Sequence, residues 1–491
     1  MAIVSEIMQQ SGVAFGTSGA RGLVTAMTDR VCYAYTTGFL QFLIEDEAWQ
    51  PGGRVALAGD LRPSTPRILA ACAEAIRDAG GEPVFCGFVP TPALADWAFA
   101  RGIPSLMVTG SHIPDDRNGI KFYRPHGEIL KADEPGITRQ VVDLDRTRWT
   151  AEGMLDAPRP LPEITPIGAG YVARYVDFFG DTALQGRRIG VYQHSAVGRD
   201  VLVEILTALG ATVTPLGRAE RFIPVDTEAV RAEDIALARN WAERHGFDAI
   251  ASTDGDSDRP LLADHTGEWL RGDVLGVLCA RALGLSSVVT PVSSNTLVEK
   301  CGAFARVHRT RIGSPFVIAA MDAALANGEG AVGGYEANGG FLLASPLDRA
   351  GRRLGALPTR DAVLPIVAAL VAAGSGTLRE LLDGLPPRVT FSDRIEAFVP
   401  ERRDALMVWL LPEDEAARHV HLDAAFAPVA GAGLTAIDLT DGVRLTFANA
   451  RVIHLRGSGN APELRCYTEA EDQGAAQELN RAALEVVATV V

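Results

Sequence analysis

The feature that most constrains the fold is an alternation of strand-like and helix-like segments along the first three quarters of the chain. Apolar runs at 54–60 and 82–88 each precede a segment with helical periodicity, and a third run at 104–111 follows. This β-α-β-α-β order is typical of a largely parallel sheet. The alternation returns at 187–195 and at 286–294. The sequence therefore predicts three α/β units of similar size, a possible internal repeat.

The last quarter of the chain has a different pattern. With 491 residues the chain is too long for one hydrophobic core, so two to four domains are expected. The proline-rich stretch 156–168 indicates a linker. After about Ser375, short alternating strands surround an Asp441-Gly442 hairpin turn, and a helix ends the chain. This region is predicted to be antiparallel α+β.

Composition excludes several classes of protein. The net charge of −15 argues against non-specific nucleic-acid binding, although a local arginine cluster could still bind a phosphorylated ligand. Six cysteines without paired spacing disfavour structural zinc and a disulfide framework, so free thiols are expected. The first ten residues do not resemble a secretion signal, and the longest apolar run, 362–374, is too short to cross a bilayer. We expect a cytoplasmic protein with neither nucleic-acid nor membrane partners.

A loop after the third apolar run contains a serine, a histidine and a lysine, at Ser111, His112 and Lys121. A serine is a poor nucleophile unless a base or phosphate chemistry activates it. The surrounding residues do not form the G-x-S-x-G elbow of a hydrolase, and the adjacent His112 cannot easily face Ser111 as a triad base. From this loop alone, an exposed polar turn that reverses at Asn118-Gly119 remains an equal possibility.

A second loop, 253–260, contains three alternating carboxylates at Asp254, Asp256 and Asp258. In an extended segment all three would share one side, and their repulsion would favour a divalent cation. An EF-hand is excluded, because Arg259 stands where glycine is required and a histidine stands where glutamate is required. The alternative is a solvated acidic turn.

Three glycine-rich loops are weak signals when each is taken alone. One, 333–343, places Glu336 and Asn338 among glycines, where they could bind vicinal hydroxyls. The others carry groups that suit a phosphate. They are 15–22, with Arg21, and 456–467, with Arg456, Ser458, Gly459 and Asn460.

Taken together, and in their order along the chain from 15–22 to 456–467, these loops resemble those of the α-D-phosphohexomutases, the phosphomannomutase/phosphoglucomutase superfamily. The likeness covers nearly the whole chain, and its most specific matches are Gly16–Gly22 and Asp254–Arg259. It implies an α/β fold in which three related mixed α/β domains and a C-terminal α+β domain surround a central cleft. The expected domains carry the phosphoserine, metal-binding, sugar-binding and phosphate-binding loops, at 1–155, 156–262, 263–375 and 376–491.

The resemblance also implies a role for each loop. Ser111 would carry the phosphoryl group, and Asp254, Asp256 and Asp258 would bind one Mg²⁺ together with an oxygen of that phosphoserine. The residues around the transferring group would be Arg21, His112, Lys121 and Arg259. Those binding the substrate would be Glu336 and Asn338 for the sugar hydroxyls and Arg456, Ser458, Gly459 and Asn460 for the distal phosphate. His112 and Lys121 are both candidates for the proton transfers.

The implied reaction moves phosphate between C6 and C1 of a hexose phosphate through a 1,6-bisphosphate, which would also serve as activator. The loop at Glu336, with Pro358–Asp361 after it, resembles bacterial phosphomannomutases, whereas 292–295 resembles phosphoglucosamine mutases. We expect mannose 6-phosphate and mannose 1-phosphate as substrates, with phosphoglucomutase or phosphoglucosamine mutase activity as the alternatives. A phosphoserine hydrolase and a non-catalytic binding module are further alternatives, and the chain is expected to be a monomer or a homodimer.

Three positions depart from the family pattern. The asparagine that usually follows the Ser-His pair is Ile113 here, and the histidine that commonly ends the sugar loop is Gly340. The phosphate loop reads Gly-Ser-Gly-Asn at 457–460, which keeps hydrogen-bond donors but alters their arrangement.

Overall fold

The computed structural model describes residues 1–16, 18–144, 148–457 and 463–490. The chain divides into two compact units. The first unit contains Met1–Val288 and Gly313–Leu381, and the second contains Val289–Ile312 and the chain from Leu382 onward.

The first 144 residues form a sheet with helices, as the alternating pattern predicts. The strands are β1 Ala2–Ile3, β2 Ala14–Phe15, β3 Ala20–Leu23, β4 Arg54–Gly59, β5 Glu82–Phe88, β6 Ser105–Val108, β7 Arg117–Arg124, β8 Gly127–Glu128 and β9 Val141–Val142. The helices are α1 Val4–Ser11, α2 Asp29–Glu45, α3 Thr65–Asp78, α4 Thr91–Phe99 and α5 Glu134–Thr138.

The main sheet of this region is mixed rather than largely parallel. Its order is β2-β3-β7-β6-β4-β5, with β8 paired to β7. The predicted β-α-β-α-β strands β4, β5 and β6 are parallel, but β7 returns beside β6 in the antiparallel direction. Because Gly59 pairs with Val108, the loops that follow β4 and β6 begin next to each other.

The region that follows repeats the pattern on a smaller scale. Within the described stretch 156–167 there is no helix or strand, which agrees with the predicted linker. The elements after it are α6 Gly168–Phe179, β10 Arg188–His194, α7 Arg199–Ala208, β11 Thr212–Arg218, α8 Ala232–His245, β12 Ala249–Thr253 and β13 Pro260–Ala263. The sheet order is β11-β10-β12-β13, with β10 parallel to β11 and β12 and with β13 antiparallel.

The third region completes the first unit and begins the second. Its helices are α9 Gly272–Leu283, α10 Leu297–Lys300, α11 Ser314–Ala326, α12 Val363–Ala372 and α13 Leu378–Asp383. Its strands are β14 Ser287–Pro291, β15 Arg306–Thr310, β16 Val332–Tyr335, β17 Phe341–Leu343, β18 Leu347–Arg349, β19 Arg352–Leu354 and β20 Leu357–Asp361. β16, β17 and β20 pair antiparallel, so the loop between β16 and β17 lies beside the end of β20.

The C-terminal elements form the predicted antiparallel α+β arrangement. They are β21 Val389–Ile395, α14 Pro400–Leu410, α15 Glu415–Ala430, β22 Leu434–Asp438, β23 Val443–Phe447, β24 Val452–Gly457, β25 Leu464–Ala470 and α16 Gln473–Ala488. The sheet order is β21-β25-β24-β23-β22, entirely antiparallel. The Asp441-Gly442 turn joins β22 to β23, with Gly442 at a φ of 82°.

Apolar side chains fill the interior of each unit. In the N-terminal region, Phe39, Leu57 and Phe122 belong to one buried cluster between α2 and the sheet. All six cysteines lie in the described ranges and are free. No helix in the described ranges combines the length and apolarity needed to cross a bilayer.

Candidate active site

The turn with Ser111 begins where β6 ends, and Ser111 is buried rather than exposed as the sequence suggested. Solvent reaches Asp115 and Asp116, whereas Ser111 has 0% exposure. Its Oγ donates a hydrogen bond to Oδ2 of Asp254 at 2.7 Å. Its φ of 58° lies in the left-handed region, which costs a non-glycine residue about 1–2 kcal/mol. Neighbouring contacts must therefore hold this serine in place.

Asp60 and Arg62, at the end of β4, supply those contacts, and the sequence analysis missed both. The two side chains form a fully buried ion pair. Arg62 donates from Nη2 to the Ser111 carbonyl at 2.9 Å and to the Ile113 carbonyl. Thr109 Oγ1 donates to Asp60 and accepts from the Ser111 N–H, both at 2.8 Å. The signal that could have found them is an Asp-x-Arg directly after a strand.

The three aspartates converge through a tight turn, not through the strand alternation that the sequence suggested. The turn joins β12 to β13, and Ser257 within it has a φ of 58°. All three side chains of Asp254, Asp256 and Asp258 are buried, and one carboxylate oxygen of each lies within 4.8 Å of the other two. The structure therefore brings the three predicted residues together, but through a turn rather than through the strand alternation inferred for them.

These carboxylates fit a divalent cation. Asp256 Oδ1 and Asp258 Oδ1 are buried without a hydrogen-bond partner in the part of the chain that the structure describes. Burial, together with the charges of the other two aspartates, raises the pKa of the Asp254 carboxyl well above its usual range. Carboxylate oxygens are the ligands that Mg²⁺ prefers, and a cation would satisfy both orphaned atoms.

Lys121, on β7, reaches the same carboxylates. Its Nζ donates to Asp256 Oδ2 at 2.6 Å and to Asp258 Oδ2 at 2.5 Å, and Thr91 Oγ1 also donates to Asp256 at 2.6 Å. Burial alone would raise the pKa of the Asp256 carboxyl, but the Lys121 ammonium and these hydrogen bonds outweigh it and lower that pKa. The structure thus brings Lys121 together with the aspartate turn.

His112 is held as a neutral ring. Its Nδ1 lies 2.8 Å from Nη1 of Arg259, and because a guanidinium can only donate, Nδ1 is the acceptor. Burial, followed by the Arg259 charge, lowers the pKa of His112 to about 3. The ring proton therefore sits on Nε2. Nδ1 is also 3.5 Å from the Ser111 hydroxyl.

Three arginines, Arg21, Arg259 and Arg360, concentrate positive charge near the aspartate turn. Burial, followed by the neighbouring charges of Arg259 and Arg360, lowers the pKa of Arg21 to about 10. The Nε atoms of Arg21 and Arg259 are buried, and neither has a hydrogen-bond partner among residues 1–16, 18–144, 148–457 and 463–490. Buried guanidinium donors of this kind suit the oxygens of a phosphate.

The loop between β16 and β17, residues 336–340, carries Glu336 and Asn338, and it is called the sugar loop because these two residues are predicted to bind the sugar. Arg360 Nη1 donates to Glu336 Oε2 at 2.9 Å, and Arg360 Nε donates to Asp258 at 3.0 Å. The Asn338 amide oxygen accepts the Gly340 N–H at 2.9 Å, and the described ranges show no hydrogen bond from its NH₂ group. The sequence analysis mentioned Arg360 only as part of Pro358–Asp361, a stretch that resembles bacterial phosphomannomutases. It did not assign Arg360 to the site.

The backbone of the sugar loop is held from two sides. Thr227 Oγ1 donates to the Asn338 carbonyl at 2.9 Å. Gly272, the first residue of α9, lies so close that a Cβ there would be 2.4 Å from the Asn338 carbonyl carbon. Neither residue belongs to a recognisable motif, so sequence reasoning missed both.

Thr227 lies in an irregular segment between β11 and α8 that also carries two carboxylates. Asp226 Oδ1 accepts the Glu228 N–H at 2.9 Å. Burial, followed by the Asp226 charge, raises the pKa of Glu228 to about 6. The Arg259 and Arg271 charges act in the opposite direction on Glu228.

The predicted phosphate loop belongs to the second unit. Arg456, near the end of β24, donates from Nε to Asp441 Oδ1 at 2.8 Å. The other Asp441 oxygen accepts the Ile312 N–H at 2.9 Å. The predicted residues Ser458, Gly459 and Asn460 lie outside the described residues, as does Thr17 of the N-terminal loop.

Models of one family match almost all of the chain. They are the "Phosphoglucomutase/phosphomannomutase, alpha/beta/alpha" domains I, II and III, at 12–148, 170–267 and 271–389, and the "Phosphoglucomutase/phosphomannomutase, C-terminal domain" at 411–486. The chain belongs to the phosphoglucomutase/phosphomannomutase family, as the order of the loops predicted.

Two relatives are similar over nearly their whole length. A phosphomannomutase of Sinorhizobium fredii (strain NBRC 101917 / NGR234) is 46% identical over 476 residues, covering 95% of this chain and 97% of the relative. A phosphomannomutase of Salmonella muenchen is 43% identical over 469 residues, covering 95% and 94%. Among solved structures, a phosphoglucomutase/phosphomannomutase family protein of Burkholderia thailandensis has a TM-score of 0.74 at 19% identity and covers 100% of this chain and 98% of that one. That structure supports the fold.

Proposed function

We propose that this chain is a phosphohexomutase that interconverts mannose 6-phosphate and mannose 1-phosphate. The observation that carries the proposal is the Ser111 hydroxyl, buried and 2.7 Å from an aspartate turn fit for a cation. The two phosphomannomutases that are 46% and 43% identical favour mannose over glucose and glucosamine. Phosphoglucomutase and phosphoglucosamine mutase activities remain the alternatives within the family.

Ser111 is proposed to carry the phosphoryl group between the two ends of the sugar. Its left-handed backbone, supported by Arg62 and Thr109, aims Oγ at the aspartate turn. Phosphoryl transfer depends mainly on in-line positioning and on positive charge at the equatorial oxygens. The orphaned N–H donors of Arg21 and Arg259 would supply that charge.

Asp254, Asp256 and Asp258, with an oxygen of the phosphoserine, would hold one Mg²⁺ per chain. When bound, Mg²⁺ would add positive charge next to the transferring group. The buried Asp256 Oδ1 and Asp258 Oδ1 atoms support this assignment, because neither has a hydrogen-bond partner in the described ranges.

Proton transfer to and from the sugar hydroxyl is proposed to fall to Lys121. The Nδ1 of His112 already accepts from Arg259, so the one basic atom of that ring is occupied. Lys121 presents its donors on a flexible stem within reach of the same carboxylates. His112 then serves to orient Arg259.

Glu336 and the Asn338 amide group are proposed to bind the sugar hydroxyls. Arg456, with Ser458, Gly459 and Asn460, is proposed to bind the phosphate that is not reacting. A hexose 1,6-bisphosphate would act as intermediate and activator. We also propose the four domains 1–155, 156–262, 263–375 and 376–491, a monomeric or homodimeric state and a cytoplasmic location.

Mass spectrometry of the purified protein tests the phosphoserine. A gain of about 80 Da on a peptide with Ser111 is expected, and the Ser111→Ala variant is the control. A hydrolase intermediate would not persist through purification, so a persistent phosphopeptide separates the mutase from a hydrolase. An unmodified Ser111 after incubation with glucose 1,6-bisphosphate would contradict the proposal.

An assay of kcat/KM with the 1-phosphates of mannose, glucose and glucosamine tests the sugar. Mannose 1-phosphate is expected to have the highest kcat/KM. A higher kcat/KM for glucose 1-phosphate or glucosamine 1-phosphate would contradict mannose as the preferred sugar. It would not contradict the proposed mutase reaction.

A further inference from the structure

Arg360 differs from the other arginines of the site because each of its three guanidinium nitrogens contacts the protein itself. Its side chain is only 2% exposed. Nε donates to Asp258 at 3.0 Å and Nη1 donates to Glu336 at 2.9 Å. At 3.5 Å, Nη1 also contacts Ser314 and Nη2 contacts Ser18. The contacts come from the aspartate turn, the sugar loop, the start of α11 and the N-terminal loop.

These contacts separate Arg360 from Arg21 and Arg259. Both of those side chains keep a buried Nε for which the described ranges offer no hydrogen-bond partner, so they have donors to give to a ligand. Arg360 instead donates to two carboxylates at 2.9 and 3.0 Å and contacts two hydroxyls at 3.5 Å, so each of its three nitrogens has a partner in the chain. Its position therefore suits a structural link rather than a ligand contact.

The sugar loop is shaped around this arginine. A Cβ on Gly340 would lie 2.7 Å from Cδ and 2.8 Å from Cγ of Arg360. The pairing of Phe341 with Asp361 sets the two segments side by side. The aliphatic stem of Arg360 thus occupies the room that a side chain at 340 would need.

We propose that Arg360 is a positioning residue for sugar recognition, holding the Glu336 carboxylate at a fixed distance from the aspartate turn. The proposal rests on the proposed function of the sugar loop and deepens it. A planar guanidinium can bridge two carboxylates in one rigid geometry, whereas a lysine ammonium is a single point of charge. This link would keep the group that contacts the sugar hydroxyls at a constant distance from the reacting phosphate.

A double-mutant cycle tests the link between Arg360 and Glu336. The variants are Arg360→Lys, Glu336→Gln and the double variant, each measured for KM with mannose 1-phosphate and for the ratio of kcat/KM between mannose and glucose 1-phosphates. Each single variant should raise KM by at least about 10-fold and reduce the ratio. Because Arg360 acts through Glu336, the double variant should be no more than about twofold worse than Glu336→Gln.

Two further variants distinguish the proposed effect from a general loss of folding. Gly340→Ala leaves Arg360 in the chain but forces its stem to move, so it should reproduce the rise in KM and should not add to Arg360→Lys. This variant also decides the matter if Arg360→Lys fails to fold by circular dichroism. Arg174→Lys is the matched control, because the Arg174 side chain is 7% exposed and links Asp96 to the Gly355 carbonyl, and in the described ranges it has no hydrogen bond to Arg360, Glu336 or Asp258. It should keep wild-type KM and sugar ratio.

Three results would overturn the proposal. Wild-type KM and sugar ratio in Arg360→Lys or in Gly340→Ala would show that the link is not needed. Effects that add fully in the double variant would show that Arg360 does not act through Glu336, while the function of the sugar loop would stand. Wild-type behaviour of Glu336→Gln would refute the sugar-loop role itself, and the Arg360 proposal with it.

Discussion

Gly272→Ala should displace the sugar loop without touching any side chain of the site. The added Cβ would lie 2.4 Å from the Asn338 carbonyl carbon and from the Gly339 nitrogen, and 2.6 Å from the Ala337 oxygen. Ordinary contacts of a Cβ begin at 3.4 Å, so the gap must open by about 1 Å. All three atoms belong to the backbone, and therefore no change of rotamer can relieve the clash.

The expected cost is mainly catalytic. A misplacement of about 1 Å near a bound substrate can reduce the rate by roughly 100-fold, so kcat/KM for mannose 1-phosphate should fall by about that factor. Alanine is favoured over glycine by roughly 0.5–1 kcal/mol in the middle of a helix and by less at its first residue, so the gain at Gly272 offsets only a small part of the strain in the fold. The phosphorylation of Ser111 should persist, because the three described atoms nearest to the added Cβ belong to residues 337–339 and not to the serine turn.

Gly170→Ala provides the matched control. Gly170 lies in α6, and a Cβ there would have no described atom within 4 Å. It should gain some helix stabilisation and keep wild-type kinetics. Both variants would be compared by steady-state kinetics and by thermal melting. If the kcat/KM of Gly272→Ala stayed within threefold of that of Gly170→Ala, the argument from backbone contact would be refuted.

Three further predictions follow from the site. Ser111→Ala should abolish turnover and the phosphopeptide with an unchanged circular dichroism spectrum, since losing one hydroxyl leaves little void; full activity would remove the phosphocarrier role. Asp256→Asn should weaken Mn²⁺ binding in a calorimetric titration, because it neutralises a carboxylate whose buried Oδ1 suits a cation; an unchanged affinity would contradict the cation site. Glu228 has a folded pKa raised from 4.5 to about 6, so its stabilising contribution is complete below pH 4.5 and is lost as the pH rises through 6. Glu228→Gln should therefore raise the melting temperature above pH 6 and leave it unchanged below pH 4.5; an equal shift at both values would show that the carboxyl is not perturbed.

The sequence could predict the fold where pattern and neighbours agreed. The strand expected at 82–88 forms there unchanged, and the Asp441-Gly442 turn joins two strands as expected, because both signals are local. The prediction of a largely parallel sheet was wrong in one respect. The direction of β7 depends on its pairing with β6, and an apolar run does not encode the direction in which its strand returns.

The site shows the same division between local and long-range information. The spacing of Asp254, Asp256 and Asp258 identified a cluster, but the convergence comes from a turn that the alternation did not indicate. Ser111 was expected on an exposed turn, but it is buried, and its partners are Arg62, 49 residues earlier in the chain, and Asp254, 143 residues later. The amino-acid composition of a turn shows which of its residues are polar. It does not show which distant residues pack over them and bury them.

Arg360 and Gly340 show why reading loops one at a time is not enough. Taken alone, the glycine at 340 is a weak signal, because glycines are common in turns. It becomes specific once the β17–β20 pairing places the Arg360 stem where its Cβ would be. The same arginine then connects Glu336 of the sugar loop to Asp258 of the aspartate turn. Sequence reasoning lists the groups that can bind a phosphate and a sugar. The buried side chain that contacts both groups makes no local pattern in the sequence, so the link emerges only when the strands are paired.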